Sequence, residues 1–167
     1  MSEGPIPSVE TLLQNLQTGL RELLSPSSLM IGVHTGGVWL AERLHRALAI
    51  PSALGALDIS FYRDDFSRVG LNPEVKGSHL PEDLEDREVI LVDDVLHTGR
   101  TVRAALNEIF SYGRPARVRL AVLVDRNGRE LPIQADLVGH HLNLAPDQYV
   151  KLTNDAGLAL KVLTRSG

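Results

Sequence analysis

In the run Val89-Ile90-Leu91-Val92-Asp93-Asp94-Val95-Leu96-His97-Thr98-Gly99-Arg100-Thr101, four apolar residues lead into two carboxylates and then into a short polar turn. The apolar stretch reads as a buried strand, and acids at its end stand at the edge where ligands of open α/β sheets collect. Carboxylates accept hydrogen bonds from vicinal sugar hydroxyls. Just beyond, Thr98-Gly99-Arg100-Thr101 combines a glycine that lets the backbone curl, two hydroxyls and a guanidinium. A predicted helix start behind them aims further amides at an anion. Acceptors for a diol, a few residues from donors for a phosphate, form the layout that a ribose 5-phosphate requires. The plain alternative is a solvated turn followed by a helix cap at Thr101, a frequent arrangement where strand meets helix.

The elements that must position this segment follow from periodicity. Val9, Leu12, Leu13, Leu16, Leu20, Leu23 and Leu24 recur at helical spacing behind a cap at Ser8. They predict an amphipathic N-terminal helix over about residues 8–24, ending near Pro26. Leu29 to Val33 reads as a short buried strand, Gly36-Gly37 as a turn and Val38 to Leu48 as a helix. Ala53 to Tyr62 is a predicted strand leading into Arg63 to Glu85, a long loop rich in charge, Pro and Gly. Such a loop is either a mobile flap over a site or a solvated excursion. Glu88 to Val92 is a predicted strand, Asp93 to Arg100 a turn, Thr101 to Phe110 a helix and Arg117 to Val124 another strand, with short strands and turns from Leu131 onward. Strands alternating with helices predict an α/β fold with a parallel sheet covered by helices.

Composition bounds the rest. A chain of 167 residues, 43% hydrophobic, can bury one ordinary core, so a single domain over residues 1–167 is expected. The absence of cysteine excludes disulfides and thiolate metal sites and fits a reducing compartment. No apolar stretch reaches the roughly 18 residues that span a bilayer, and Met1 to Pro7 lacks the pattern of a secretory signal, so a soluble, cytoplasmic protein is expected. With 17 basic and 21 acidic residues, the net charge of −4 provides no global attraction to nucleic acid. Any RNA contact needs a local patch, for which Arg114, Arg117 and Arg119 are candidates, although three such arginines also read as ordinary surface charge. His34, His45, His79, His140 and His141 lack convincing metal-ligand spacing, and His140 and His141 on one strand would face opposite ways.

The order hydrophobic strand, Asp-Asp, three residues, Thr-Gly-x-Thr resembles the motif with which type I phosphoribosyltransferases bind 5-phosphoribosyl-1-pyrophosphate (PRPP), and it is unbroken across Val89 to Thr101. Leu57 to Asp65, Val75-Lys76-Gly77, Gly113-Arg114-Pro115 and Leu120 to Pro132 extend the resemblance, which covers about Ile31 to Val150. Val122 to Arg126 followed by Arg129 to Ile133 is similar to the branch of pyrimidine-operon regulators that double as uracil phosphoribosyltransferases, rather than to purine-specific relatives. The resemblance implies a mostly parallel central sheet flanked by helices with a small hood. It implies the reaction of uracil with PRPP to give UMP and diphosphate, with Mg2+ accompanying PRPP. It also implies binding of a pyrimidine operon leader RNA, response to UMP and UTP, and a homo-oligomer of two or more chains. The alternatives are a regulator with weak or no catalysis and a type I transferase for another nucleobase.

Carried over residue by residue, the resemblance assigns ribose hydroxyls to Asp93 and Asp94 and the 5-phosphate to the turn through Val95, Leu96, His97, Thr98, Gly99, Arg100 and Thr101. Mg2+ would have no direct protein ligand, with Asp93 and Asp94 reaching it through sugar or water. Thr35-Gly36-Gly37 falls at the family's pyrophosphate loop, where an arginine usually stands in place of Gly36; the residues alone also allow a simple tight turn. Arg63 and Lys76 would act catalytically by neutralising pyrophosphate, and Asp94 is the candidate general base. Val124, Asp125, Arg126, Ile133 and Val150 would shape the base and nucleotide pocket, the valines through backbone groups. Gln17 and Gln134 stand where basic residues are expected in RNA-binding relatives, and the first helix carries only Arg21 as a cation.

Overall fold

The computed structural model describes residues 5–59, 78–80 and 83–166. Arg63, Lys76 and most of the expected 63–85 loop lie outside them. Helix α1 spans Val9–Arg21, with the Ser8 hydroxyl accepting from the Thr11 amide at 3.2 Å. Leu12, Leu13, Leu16 and Leu20 form its buried stripe. It ends three residues short of the expected boundary, because Leu23 and Leu24 both turn back onto the Leu20 carbonyl ahead of Pro26.

Strand β1 (Ser28–Val33) is buried throughout and leads into helix α2 (Gly36–Leu48). Strand β2 spans Gly55–Leu57; of the expected Ala53–Tyr62 strand, Ser60 to Tyr62 lie outside the described residues. Strand β3 runs over Glu88–Leu96, helix α3 over Arg100–Tyr112 and strand β4 over Arg117–Arg126. Strand β5 (Leu137–Leu142) completes a parallel sheet in the order β2-β1-β3-β4-β5. Strands β6 (Gln148–Thr153) and β7 (Ala159–Thr164) pair as a separate antiparallel hairpin.

Alternation along the strands divides the apolar side chains between two cores. Met30, Ile90, Val92, Ala121 and Leu123 point toward α1 and α2, together with Val150 and Leu152 of the hairpin. Leu29, Ile31, Val89, Leu91, Leu120 and Val122 point toward α3. A parallel sheet buried on both faces needs such continuous apolar strands. Among the described residues, no helix is long and apolar enough to cross a membrane.

Two further expectations are corrected. β3 does not stop at Val92 but continues through both aspartates, because the ladder to β4 continues through Asp93–Val122, Val95–Val124 and Leu96–Asp125. Gly36 and Gly37 do not form a free turn; they are the first residues of α2 and carry no side chain because the helix start lies against β3. A Cβ on Gly37 would stand 2.5 Å from the Val92 carbonyl oxygen and 3.0 Å from the Asp93 Cα.

Candidate functional site

From β1 the chain crosses outward to β2, whereas from β3 it proceeds to β4 and β5, so the strand order reverses between β1 and β3. The crevice beyond the carboxyl ends of those strands is where open α/β sheets bind ligands. Thr35-Gly36-Gly37 leaves β1 there, and His97 to Thr101 leaves β3 there.

Asp93 is 5% exposed, and its Oδ1 accepts from the Asp94 amide at 2.8 Å. Asp94 is half-buried, and its Oδ1 accepts from the Val95 amide at 2.8 Å. The Asp94 carboxylate also lies where a Cβ of Gly36 would be, which brings it against the first turn of α2. The acid pair and the Gly36-Gly37 segment, far apart in sequence, therefore meet. The His34–Thr35 peptide bond is cis. Thr35 caps α2 without a side-chain hydrogen bond.

The turn after β3 is formed by Gly99 at φ 96, the left-handed region that other residues adopt at a cost. Thr98 Oγ1 accepts from the Arg100 amide at 3.2 Å, and the Gly99 carbonyl accepts from Arg103. Among the described residues, nothing accepts from the amides of Thr101 and Val102, so the start of α3 presents two N–H groups with the positive end of its dipole. Leu96 is anchored in the core toward α3, while Arg100 and Thr101 are exposed.

Beneath the turn passes the segment 127–133. The Thr98 carbonyl accepts from the Glu130 and Leu131 amides at 2.9 and 3.0 Å, and Arg100 Nε pairs with Glu130 Oε1 at 2.8 Å. Ile133 lies against Gly99, where a Cβ would stand 3.1 Å from its Cγ1. Arg129 reaches the Asp125 carboxylate at 2.6 Å and the carbonyls of His97 and Ile133 at 2.5 and 2.9 Å. Asn127 is fastened to Leu144 through both ends of its amide.

Arg126 is 8% exposed and donates to the carbonyls of Asn127 and Gln148. Burial, and then the nearby Arg165, lower its pKa from the usual arginine range. Arg165 lies over the Tyr149 ring, 5.2 Å from its centroid. The imidazole of His97 reaches solvent but is partly stripped of water, and that burial lowers its pKa. Arg126 pushes in the same direction, Glu130 opposes it, and Arg129 and Arg165 add smaller lowering effects. Arg126 and Arg165 thus stand as cations near the turn, where Arg129 and Arg100 are paired with Asp125 and Glu130.

The base-site candidates divide. Asp125, Arg126 and Ile133 adjoin the turn, whereas the side chains of Val124 and Val150 are buried in the core toward α1 and α2. Val124 is also paired on both sides, to Val95 and His140. Sequence reasoning gave no role to Arg129, Asn127 or Arg165. Asp125 and Arg129 are four apart, a spacing read as an ion pair on helices, and nothing local marks it in a turn. His141 Nδ1 lies 3.7 Å from Asp125 Oδ2 on the neighbouring strand, and His45 Nε2 bonds the Ser52 carbonyl. Among the described residues, no group of three or more His, Asp or Glu could hold a metal ion.

The model of the phosphoribosyl transferase domain matches residues 24–149. A Nitrosococcus oceani protein named Bifunctional protein PyrR is 56% identical over 161 residues, covering 93% of this chain and 91% of its own length. A Pseudomonas paraeruginosa protein of the same name is 50% identical, covering 93% and 94%. Among solved structures, a purine phosphoribosyltransferase from Pyrococcus horikoshii is 28% identical with a TM-score of 0.62, covering 83% of this chain and 87% of that one. A hypoxanthine-guanine-xanthine phosphoribosyltransferase shares the fold at a TM-score of 0.66 and 17% identity, covering 98% and 94%. Identity at this level over nearly the whole length, on the fold of those solved enzymes, makes the chain a member of the phosphoribosyltransferase family, among the bifunctional PyrR proteins.

Proposed function

We propose that the chain transfers the phosphoribosyl group of PRPP to uracil, giving UMP and diphosphate, and that it serves the regulation of a pyrimidine operon. The observation that carries this reading is the pair Asp93 and Asp94 at the end of β3, beside the open amides of α3 and at the point where strand order reverses. The carboxylates accept from the ribose hydroxyls; Thr98 to Thr101 and the helix amides hold the 5-phosphate. Thr35 to Gly37 and the start of α2 face the pyrophosphate, with Arg63 and Lys76 as further cations. Asp125, Arg126 and Ile133 border the base.

In the reaction, uracil N1 bonds to the sugar C1 as the bond from C1 to the pyrophosphate oxygen breaks, and the electron pair leaves with diphosphate. The N1 proton needs an acceptor, for which Asp94 is the candidate. Most of the rate comes from positioning and from charge already arranged around the sugar and phosphates. Mg2+ suits this donor set, since it takes a carboxylate or two, water and substrate phosphates, and it supplies neutralisation of the pyrophosphate charge when bound. Asp93 and Asp94 are the carboxylates that would hold it, through sugar or water.

Purified protein with Mg2+, PRPP and uracil should form UMP, with uracil preferred over hypoxanthine and guanine in competition. Asp93→Asn combined with Asp94→Asn should abolish turnover; unchanged turnover refutes the site. RNA recognition has its own support in Arg114 and Arg117, which are exposed near the start of β4, with Arg119 on the same strand face as Arg117. Binding to a pyrimidine leader RNA should weaken as salt rises, because arginine contacts to phosphate release counterions. Salt-independent binding excludes that mode. The family resemblance also supports a homo-oligomer and a cytoplasmic location.

A further inference from the structure

We propose that Arg129 is a positioning residue for the phosphate-binding turn, tying the turn, the end of β4 and the 127–133 segment into one mould before any ligand arrives. This rests on the reading that His97 to Thr101 holds the 5-phosphate. The Arg129 guanidinium donates through Nη2 to Asp125 Oδ1 at 2.6 Å and through Nε to the Ile133 carbonyl at 2.9 Å. Its Nη1 donates to the His97 carbonyl at 2.5 Å and to the Arg126 carbonyl at 3.3 Å. A planar fork with five N–H groups can serve separated acceptors at once, which a lysine ammonium at the end of a flexible stem cannot.

The direction of these bonds bears on the ligand. A peptide carries its negative end at the carbonyl, and a carbonyl turned toward a phosphate would repel it. The His97 carbonyl is held by the Arg129 cation, and the Thr98 carbonyl by the Glu130 and Leu131 amides. Both are thereby drawn toward the 127–133 segment, while the amides of Thr101 and Val102 have no acceptor among the described residues. A turn fixed in this way binds without an added ordering cost, and its dipoles need no rearrangement when charge moves.

Amide hydrogen exchange of Glu130, Leu131 and Arg103, whose N–H groups donate to the turn carbonyls of Thr98 and Gly99, measured without ligand, tests the clamp directly. Bonds to charged groups are strong enough that Arg129→Gln should raise exchange there about 10- to 100-fold while β1 and the first half of β3 stay protected. KM for PRPP should rise about tenfold with kcat changed less than about threefold, the pattern of lost ligand binding. Arg129→Lys should behave like Arg129→Gln, so recovery of wild-type behaviour by lysine would overturn the fork argument. Unchanged exchange in Arg129→Gln would overturn the proposal outright. Should Arg129→Gln fail to fold, the isosteric Asp125→Asn weakens the same clamp from its other side and should give the same shift, smaller; no shift counts equally against it. Faster exchange with an unaltered PRPP dissociation constant would leave the clamp standing and refute the phosphate reading instead.

Discussion

Replacing Gly36 by alanine adds one methyl group at the point where α2 meets the acid pair. The new Cβ would stand 2.9 Å from Asp94 Cγ and 3.1 Å from Asp94 Cβ, with the carboxylate oxygen Oδ2 nearer still. A side chain can give way, so the fold should survive, but the carboxylate must swing. The bond at risk is the one from the Val95 amide to Asp94 Oδ1, 2.8 Å long. Hydrogen bonds to charged groups contribute about 1.5–3 kcal/mol, which corresponds to about a 10- to 100-fold fall in kcat/KM if the loss is felt in the transition state. Gly37 provides the contrast, because the obstacles to its Cβ are backbone atoms of β3 at 2.5 and 3.0 Å. Overpacking against backbone costs about 1–3 kcal/mol, so Gly37→Ala should lower Tm by about 3–10 °C. Steady-state UMP formation with PRPP varied, together with thermal melts, separates the two effects. Gly36→Arg carries the same Cβ and should also lose activity, despite its extra phosphate donor. Wild-type kcat/KM in Gly36→Ala, or a wild-type melt in Gly37→Ala, would refute the packing argument.

Gly99→Ala places a side chain at φ 96 and against Ile133; it should cost about 1–2 kcal/mol and raise KM for PRPP at least about tenfold, measured by melts and kinetics. His97 has a pKa below the ordinary 6.5 in the fold. The unfolded chain therefore binds the proton first, and stability should fall as pH drops through 6.5 toward the lower folded value. Urea midpoints across that window should slope less in His97→Gln, and an unaltered slope would contradict the assignment. Ala49, the exposed C-cap of α2, has φ 51; Ala49→Gly removes the Cβ conflict and should stabilise by about 0.5–1 kcal/mol, read as a higher Tm.

The elements were legible where one period dominates. Ser8 with the leucines of α1, and the apolar runs of β1 and β3, led directly to the layered sheet. The acid pair and the turn after it were legible because their chemistry is concentrated in one stretch. Three features were not. The continuation of β3 past Val92 depends on pairing with β4, and two charged residues conceal it from any hydrophobic pattern. Gly36 and Gly37 carry the usual mark of a turn, although their role is close approach to a strand more than fifty residues away. Arg129 acts through carbonyls, which are present at every residue and so leave no trace in side-chain spacing.

The passage of residues 127–133 beneath the β3–α3 turn makes assembly of the site a distant event along the chain. Glu130, Leu131 and Ile133, which close on Thr98 and Gly99, follow β4 in the chain. A nascent polypeptide that has emerged only through Tyr112 already contains both aspartates and the whole turn, yet lacks the support that shapes it. Closing such a loop is slow compared with local helix formation, so ligand competence should trail secondary structure during synthesis and refolding. Nucleotides should then favour the late, finished state over earlier compact ones.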